Sequence, residues 1–276
     1  VGAMVSQTSG VPLKTPPGVG GNDYGADGSF LPGVTSITNI LRDNGYYQTL
    51  MVGSDASFGG RKQYFQQHGI DRIYDIHSFW EDGIVPDGRY VWWGAEDAYL
   101  YTYAKQELTK IAAQEQPFAF TMLTVDTHHI GGYVCDYCTN DRAEQYENVY
   151  SCASRQAAEF VAWIQQQDFY ENTTIVIAGD HWSMDGDYFT RNAPEDYVRT
   201  TYNCIINTKN RGCCALDLFP TTLAAMGCNI EGDRLGLGTN LFSDTPTLVE
   251  TMGLENLNKE LTKSSPYYPS HFFFAS

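Results

Sequence analysis

Short apolar runs alternate with longer segments of helical periodicity, and this alternation constrains the fold more than any other feature. The runs lack polar–apolar alternation, which is typical of strands buried on both faces of a parallel sheet. We predict strands at 47–53, 71–76, 117–127, 173–180 and 200–208, an edge element at 89–94, and helices at 34–46, 61–67, 95–116, 142–167 and 216–227. The predicted fold class is α/β, a three-layer, mostly parallel sheet with helices on both faces, in a single domain over 1–276.

Charge and composition limit the partners of this chain. Its 17 Lys and Arg face 33 Asp and Glu, which gives a formal net charge of −16. Such a surface repels phosphate backbones, so nucleic acid is an unfavourable partner and a basic membrane-docking face is absent. No stretch reaches the roughly 20 apolar residues of a membrane span, and residues 1–10 lack a signal-peptide pattern. We expect a soluble chain that forms part of a longer protein.

The 7 cysteines suggest an exported protein. Cys135 and Cys138 form a Cys-x-x-Cys motif that hints at zinc, but no second pair follows at zinc-ribbon spacing. Disulfides are therefore the favoured interpretation, with one thiol left over or paired outside the chain. The other cysteines are Cys152, Cys204, Cys213, Cys214 and Cys228.

Three predicted strands end in polar clusters, at the edge where open α/β sheets carry their sites. The clusters contain Asp55, then Asp126 with His128 and His129, then Asp180 with His181. A single strand-end Asp often caps a helix, and a single loop His is often a surface group. Taken together, however, these carboxylates and imidazoles could hold a divalent cation. His68 precedes Gly69 at a predicted helix end, and we interpret it as structural.

Several segments resemble, in order, the alkaline phosphatase superfamily. They are MVSQTSGVPL near the start, GSDASFGGRKQYFQQHG at 53–69, DTHH at 126–129, GDH at 179–181, and LDLFPTTLAAMG followed by RLGLGTNLFS. The chain is most similar to the membrane-anchored phosphoglycerol transferases, the group that contains lipoteichoic acid synthase and the osmoregulated-glucan phosphoglycerol transferase. GDH alone has low specificity, whereas the ordered set is specific.

This resemblance implies one divalent metal ion, Mn²⁺ first with Mg²⁺ or Zn²⁺ as alternatives, held by Asp180 and His181. His128 corresponds to the family's phosphate-contacting catalytic histidine, and His129 beside it is a substrate-binding candidate. The family's substrate-pocket segment corresponds to Gly53, Asp55, Phe58, Gly60 and Arg61. We assign Arg61 to an anionic or polyol head group and Asp55 to glycerol or sugar hydroxyls.

The chain departs from the family pattern at several positions. Trp182 stands where many relatives have Gly, and Ile130 where many have Pro, so the pocket shape is expected to differ. The family's nucleophilic Thr would stand immediately before Val1, and a strand ending in a metal-binding Glu would precede it. Thr8 is the nearest alternative nucleophile, but its spacing to Val11 is too short for the family pattern. We therefore expect this chain to bind metal weakly and to be inactive on its own.

The implied activity is transfer of glycerol phosphate from phosphatidylglycerol to a glycan or teichoic-type polymer hydroxyl, through a phospho-threonine intermediate. The implied location is the outer face of the bacterial cytoplasmic membrane, with anchoring by upstream helices. Alternatives are a phosphoethanolamine transferase, a phosphodiesterase, a sulfatase, or a non-catalytic domain that retains the fold. Sulfatases need Cys or Ser in a C/S-x-P-x-R motif, and none of the 7 cysteines is followed in that way.

Overall fold

A computed structural model describes residues 1–15, 22–206 and 214–273. Its helices are α1 (Gly2–Ser9), α2 (Ile37–Asp43), α3 (Arg61–Gln67), α4 (Ile76–Glu81), α5 (Asp97–Ala112), α6 (Gln145–Ile164), α7 (Gly186–Asn192), α8 (Leu218–Ala225), α9 (Leu248–Met252) and α10 (Leu254–Leu261). Its strands are β1 (Tyr47–Val52), β2 (Arg72–Tyr74), β3 (Phe118–Leu123), β4 (Ile175–Ala178), β5 (Asn203–Ile206), β6 (Arg234–Leu235) and β7 (Gly238–Thr239).

Strand β1 is the centre of a three-stranded parallel sheet with the order β2-β1-β3. Leu50 of β1 is in register with Ile73 of β2 and with Thr121 of β3. Strands β4 and β5 form an antiparallel pair, and β6 and β7 form a short antiparallel pair. The carboxyl ends of the parallel strands lie at one edge, which is where the sequence predicts the polar clusters.

Both faces of β1 are buried, as the absence of polar–apolar alternation predicts. Successive side chains of a strand point to opposite faces. Leu50 and Val52 pack into one hydrophobic cluster with Phe30 and Tyr64, whereas Met51 packs into a second cluster built around α5. The two clusters sandwich the strand, so the α/β prediction of a sheet between two layers is confirmed.

Helix α2 begins where its sequence predicts. Ser36 is the N-cap, and its hydroxyl accepts a hydrogen bond from the backbone N–H of Asn39 in a capping box. The Asn39 carboxamide oxygen also lies 2.9 Å from Nδ1 of His68, whose Nε2 lies 3.3 Å from the carbonyl oxygen of Phe30. His68 is buried between these groups, which matches its structural interpretation.

Four details differ from the sequence predictions. Strand β3 is half-exposed rather than fully buried, because within the described residues its pairing is with β1 on one side. Strand β2 stops at Tyr74 because Asp75 accepts the N–H of His77 and starts α4. The 89–94 segment forms a single bridge between Val91 and Gly94 rather than a strand. The predicted 200–208 strand is shorter, and its positions 207 and 208 lie outside the described residues.

Within the described ranges, no helix combines the length and the apolar character needed to cross a lipid bilayer. Cys213 lies outside those ranges, and the other six cysteines are free thiols in this structure.

Candidate active site

Asp180 and His181 follow β4 directly and face each other. Nε2 of His181 lies 3.3 Å from Oδ2 of Asp180, and both side chains are 52 % exposed. The Nδ1 atom of His181 lies 2.7 Å from the carbonyl oxygen of Trp182, which can only accept, so Nδ1 carries the proton. Nε2 and the carboxylate oxygen therefore face each other, and a shared cation or proton would stabilise this arrangement. The carboxylate and the oriented imidazole fit half of a divalent-metal site.

The first helix begins beside this pair. The backbone nitrogen of Val1 lies close to both Asp180 and Arg61. A side chain at Gly59 would lie 2.3 Å from Cγ2 of Val1, so the turn at Gly59 is packed directly against the start of α1. Gln7 of the same helix donates to the carbonyl oxygen of Gly179 at 3.1 Å. Helix α1 thus joins the end of β4 to the 55–61 segment.

Arg61 is buried and holds the loop that follows β1. Its Nη2 donates to Ser54 Oγ at 2.9 Å and to the carbonyl oxygen of Asp55 at 2.6 Å. Its Nε has no hydrogen-bond partner in the structure, and its guanidinium lies 5.7 Å from the Phe58 ring centroid. Burial lowers the pKa of Arg61, and Asp55 opposes that effect.

Asp55 is engaged mainly with its own loop. Its Oδ1 accepts from the backbone N–H of Ser57 at 2.8 Å and from the Ser57 hydroxyl at 2.7 Å. These bonds, the Ser57 hydroxyl first, hold the pKa of Asp55 below its usual value. The other oxygen, Oδ2, lies 3.9 Å from Nε2 of His77 and is available to a hydroxyl ligand.

A row of aromatic and imidazole rings connects the 55–61 segment to the loop after β3. That loop carries His128 and His129 and is called the histidine loop below. The centroid of Phe58 lies 6.0 Å from that of Trp93, and Trp93 lies 4.6 Å from His128. His128 in turn stacks on His129 at 4.6 Å, and its Nδ1 donates to the carbonyl oxygen of His129 at 2.7 Å. The Nε2 atom of His128 is therefore the one that can exchange a proton with a ligand.

The loops after β3 and β4 are joined through α6. The hydroxyl of Tyr146 bonds to the carbonyl oxygen of Thr127 at 3.3 Å and also contacts the Ser183 hydroxyl. Burial first, then the Tyr146 hydroxyl and the charge of Asp180, raises the pKa of Tyr150. The structure thus brings the Asp180 pair, the His128 loop and the Arg61 segment to one edge of the sheet.

Among the polar residues predicted at the three strand ends, Asp126 is the one whose side chain is buried away from this edge. It is buried, and its Oδ2 accepts the N–H of Asp97, whose carboxylate accepts the N–H groups of Val125 and Asp126. Burial and the neighbouring Asp97 carboxylate raise the pKa of Asp126. This carboxyl pair links the start of α5 to the end of β3.

A second acidic group lies near Asp55. One ligand atom each from Asp55, Asp75 and His77 falls within 4.8 Å of the others, beside an open cleft of about 400 Å³. Asp75 caps α4 and also accepts the N–H of Ala56 at 3.3 Å. The Asp55 and Asp75 carboxylates thus each use oxygens for loop hydrogen bonds, while Asp55 Oδ2 faces His77.

Sequence reasoning missed three residues that organise the site, namely Trp93, Tyr146 and Tyr150. The two tyrosines are four residues apart in α6, so they share a helix face, and their rings are 4.7 Å apart. That spacing was the available signal for the tyrosines. Trp93 belongs to an irregular loop, where no periodicity indicates which way a side chain points.

Comparison with known proteins places the chain in a family. The sulfatase family model matches residues 8–227. The chain belongs to the sulfatase family. This family label describes common ancestry and fold, and the C/S-x-P-x-R motif of sulfatase chemistry is absent from the chain.

The similar proteins of known sequence are phosphoglycerol transferases. Phosphoglycerol transferase I of Xanthomonas axonopodis pv. citri is 34% identical over 196 residues, which are 68% of this chain and 27% of that protein. Phosphoglycerol transferase I of Escherichia fergusonii is 29% identical over 191 residues, 67% of this chain and 24% of that protein. The chain thus spans about a quarter of the length of these relatives.

Solved structures share the fold. An alkaline phosphatase superfamily protein from Vibrio parahaemolyticus superposes with a TM-score of 0.67 at 18% identity, covering 90% of this chain and 59% of its own. The lipoteichoic acid synthase LtaP from Listeria monocytogenes gives a TM-score of 0.67 at 20% identity, covering 87% and 62%. The predicted alkaline phosphatase-like fold is confirmed.

Proposed function

We propose that this chain is part of the catalytic domain of a phosphoglycerol transferase. The reaction is transfer of glycerol phosphate from phosphatidylglycerol to a glycan or teichoic-type hydroxyl, with release of diacylglycerol. The observation that carries the proposal is the Asp180–His181 pair, in which a carboxylate oxygen and Nε2 of the imidazole face each other at 3.3 Å. The likeness to phosphoglycerol transferase I supports this chemistry over that of other branches of the superfamily.

Asp180 and His181 would hold one divalent cation, with Mn²⁺ preferred and Mg²⁺ or Zn²⁺ as alternatives. The donor set of one carboxylate and one imidazole suits these ions. Such a cation, when bound, neutralises charge on phosphoryl oxygens and lowers the pKa of a nearby hydroxyl. The hydrogen bond from His181 to the Trp182 carbonyl oxygen keeps Nε2 directed at the site.

The nucleophile in this proposal is a threonine immediately upstream of Val1. Its position is supported by the backbone nitrogen of Val1, which lies near both Asp180 and Arg61. The threonine oxygen attacks phosphorus, the bond to the diacylglycerol oxygen breaks, and His128 Nε2 gives that oxygen a proton. In the second half, an acceptor hydroxyl attacks the phospho-threonine and loses its proton to His128, and threonine leaves.

Arg61 and Asp55 would bind the head group. The guanidinium of Arg61 would supply the positive charge opposite an anionic oxygen of the head group. Asp55 would accept hydrogen bonds from glycerol or sugar hydroxyls through Oδ2, and His129 would contribute a further polar contact beside His128. Asp55, His128 and His129 belong to loops that follow β1 and β3, and Arg61 is the first residue of α3.

The same resemblance predicts an upstream strand that supplies a glutamate ligand, preceded by membrane helices. Strands β3 and β4 support this prediction because both are half-exposed. In the described residues β3 pairs with β1 and β4 pairs with β5, so each strand has one edge at which a further strand could pair. The enzyme would act at the outer face of the bacterial membrane. Tethering would offset the repulsion between anionic lipid and a chain of net charge −16.

The full-length protein, incubated with labelled phosphatidylglycerol and an osmoregulated glucan or a glycerol-phosphate polymer, should release diacylglycerol and label the acceptor. His181→Ala and Asp180→Asn should each lower this rate by roughly 100-fold or more, because the ligands and the nucleophile act as a unit. Trapped enzyme should carry glycerol phosphate on threonine, detected by peptide mass spectrometry.

Head-group competition separates the rival activities. Phosphatidylethanolamine used in preference to phosphatidylglycerol would replace the proposal with a phosphoethanolamine transferase. Hydrolysis of a sulfate ester or of a simple phosphodiester, with no acceptor labelled, would identify the corresponding hydrolase. A well-folded full-length protein that is inactive on every donor would identify a non-catalytic domain.

A further inference from the structure

Three cysteine sulfurs meet beneath the histidine loop. Cys135 and Cys138 lie in the 124–144 segment between β3 and α6, and Cys152 lies on the buried side of α6. Sγ of Cys135 is 3.8 Å from Sγ of Cys138 and 3.8 Å from Sγ of Cys152. All three sulfurs lie within 4.8 Å of one another, so they converge on a single point.

The spacing of these sulfurs matches a metal site. A tetrahedral zinc site with Zn–S bonds of about 2.3 Å has sulfurs about 3.8 Å apart along each edge. The turn that carries the first two sulfurs is of the type such sites use, since the N–H of Cys138 donates to the carbonyl oxygen of Cys135 at 3.0 Å. One disulfide, by contrast, would use two of the sulfurs and leave the third unused.

Burial raises the pKa of Cys135 and Cys138, so a bound cation would be needed to hold these sulfurs as thiolates, and donors lie beside the cluster. Nε2 of Gln156 lies 3.4 Å from Sγ of Cys152 and 3.9 Å from Sγ of Cys135. The Arg155 guanidinium lies 3.7 Å from Sγ of Cys152 and also donates to the carbonyl oxygen of Tyr137. Donors and a positive charge next to sulfur are what a thiolate cluster requires around its metal.

We propose that Cys135, Cys138 and Cys152 bind one thiophilic divalent cation, with zinc as the expected ion. Binding releases three protons from three thiols, so the site carries one net negative charge next to Arg155. Cys138 is half-buried, and a water molecule would complete the tetrahedral coordination. This site is separate from the Asp180–His181 pair and independent of the proposed reaction.

A metal ion bound by these cysteines would attach the 124–144 segment to α6. The loop already has other attachments, because Gln145 of α6 donates to the carbonyl oxygens of Gly131 and Gly132, and Gly131 N–H donates to Asp185. The cysteine site would add a fixed point on the same loop. Its role is to hold the backbone that positions His128.

The test uses the chain purified without chelator under reducing conditions. Metal analysis should find about one zinc per chain in a variant that lacks the other pair, Asp180→Asn with His181→Ala. Replacement of zinc by Co²⁺ should give a thiolate-to-cobalt charge-transfer band. Cys152→Ser should lose that band, whereas Cys228→Ser, at an exposed thiol outside the cluster, should keep it.

A second measurement needs no variant. A chelator should raise the reactivity of three thiols toward a thiol reagent and speed hydrogen exchange in the 124–144 segment. Peptide mapping that finds a disulfide between any two of the three cysteines in the untreated full-length protein would overturn the proposal. So would a zinc-free chain whose three thiols react equally with and without chelator.

Discussion

Trp93 and His128 are in ring contact, with centroids 4.6 Å apart and ring planes inclined by 42°. Because the Nδ1 atom of His128 is already bonded to the carbonyl oxygen of His129, the indole ring fixes the remaining freedom of the imidazole. The proposed proton transfer depends on the direction of Nε2. A residue from an irregular loop thus determines how a strand-end histidine is presented.

Trp93→Ala should therefore lower kcat of the full-length enzyme by about 10- to 100-fold, since a mispositioned proton donor loses much of its catalytic effect. Trp93→Phe is the matched control, because it keeps a ring against His128, and it should retain most of the activity. Steady-state kinetics with phosphatidylglycerol as donor provide the measurement. Equal rates for the alanine variant and the wild type would show that His128 is positioned without Trp93.

Metal binding should depend on one histidine and not on another. Isothermal titration with Mn²⁺ should give weak binding to this chain, and His181→Ala should abolish it, because half of the ligand pair is lost. His77→Ala is the control, since His77 belongs to the second acidic group and its side chain is 56% exposed. Loss of binding in the His77 variant alone would move the metal to the Asp55–Asp75 group.

Much of this arrangement was predictable from strand ends. Runs such as 173–180 predict both a strand and the place where it ends, so Asp180, His181 and His128 could be assigned to strand ends, although β4 is half-exposed rather than buried. The sequence could not show that Asp126 turns inward, because that depends on backbone N–H groups of α5 and β3 that are distant in sequence. The sequence also could not show that Cys152 lies next to Cys135 and Cys138. Helical periodicity indicates which face of α6 is buried, but it does not indicate which segment packs against that face.

Packing of the first helix against the site can be tested at glycine. Gly59 has φ of +64°, and a Cβ there would lie 2.3 Å from Cγ2 of Val1. Gly45 has φ of +79°, but a Cβ there meets nothing within 4 Å. Each Gly→Ala change should cost about 1–2 kcal/mol for the left-handed backbone, and Gly59→Ala should cost roughly 1–3 kcal/mol more from the clash.

Urea denaturation of both glycine variants measures that difference. Gly59→Ala should also weaken Mn²⁺ binding, because the start of α1 lies beside Asp180. Equal destabilisation by the two substitutions would mean that α1 is not held against the 55–61 segment.

The buried Asp97–Asp126 pair should make stability fall as pH rises. Burial and the Asp97 carboxylate raise the pKa of Asp126 above its usual value, so the folded state keeps a proton that the unfolded state releases. The contribution is fully present below the unfolded pKa of about 4 and is lost as pH rises toward the folded pKa. Asp126→Asn cannot lose that proton, and its amide oxygen can still accept the N–H of Asp97.

Chemical denaturation from pH 4 to pH 8 should therefore give similar free energies of unfolding for the wild type and Asp126→Asn at low pH. The difference between the two free energies should grow as the pH rises. The asparagine variant should be more stable by about 2 kcal/mol near neutrality, an order-of-magnitude value for a buried carboxyl. Glu115→Gln, at an exposed carboxylate, controls for the loss of one negative charge. If the wild type and Asp126→Asn stayed parallel across this range, Asp126 would titrate alike in the folded and unfolded states, which would contradict the prediction.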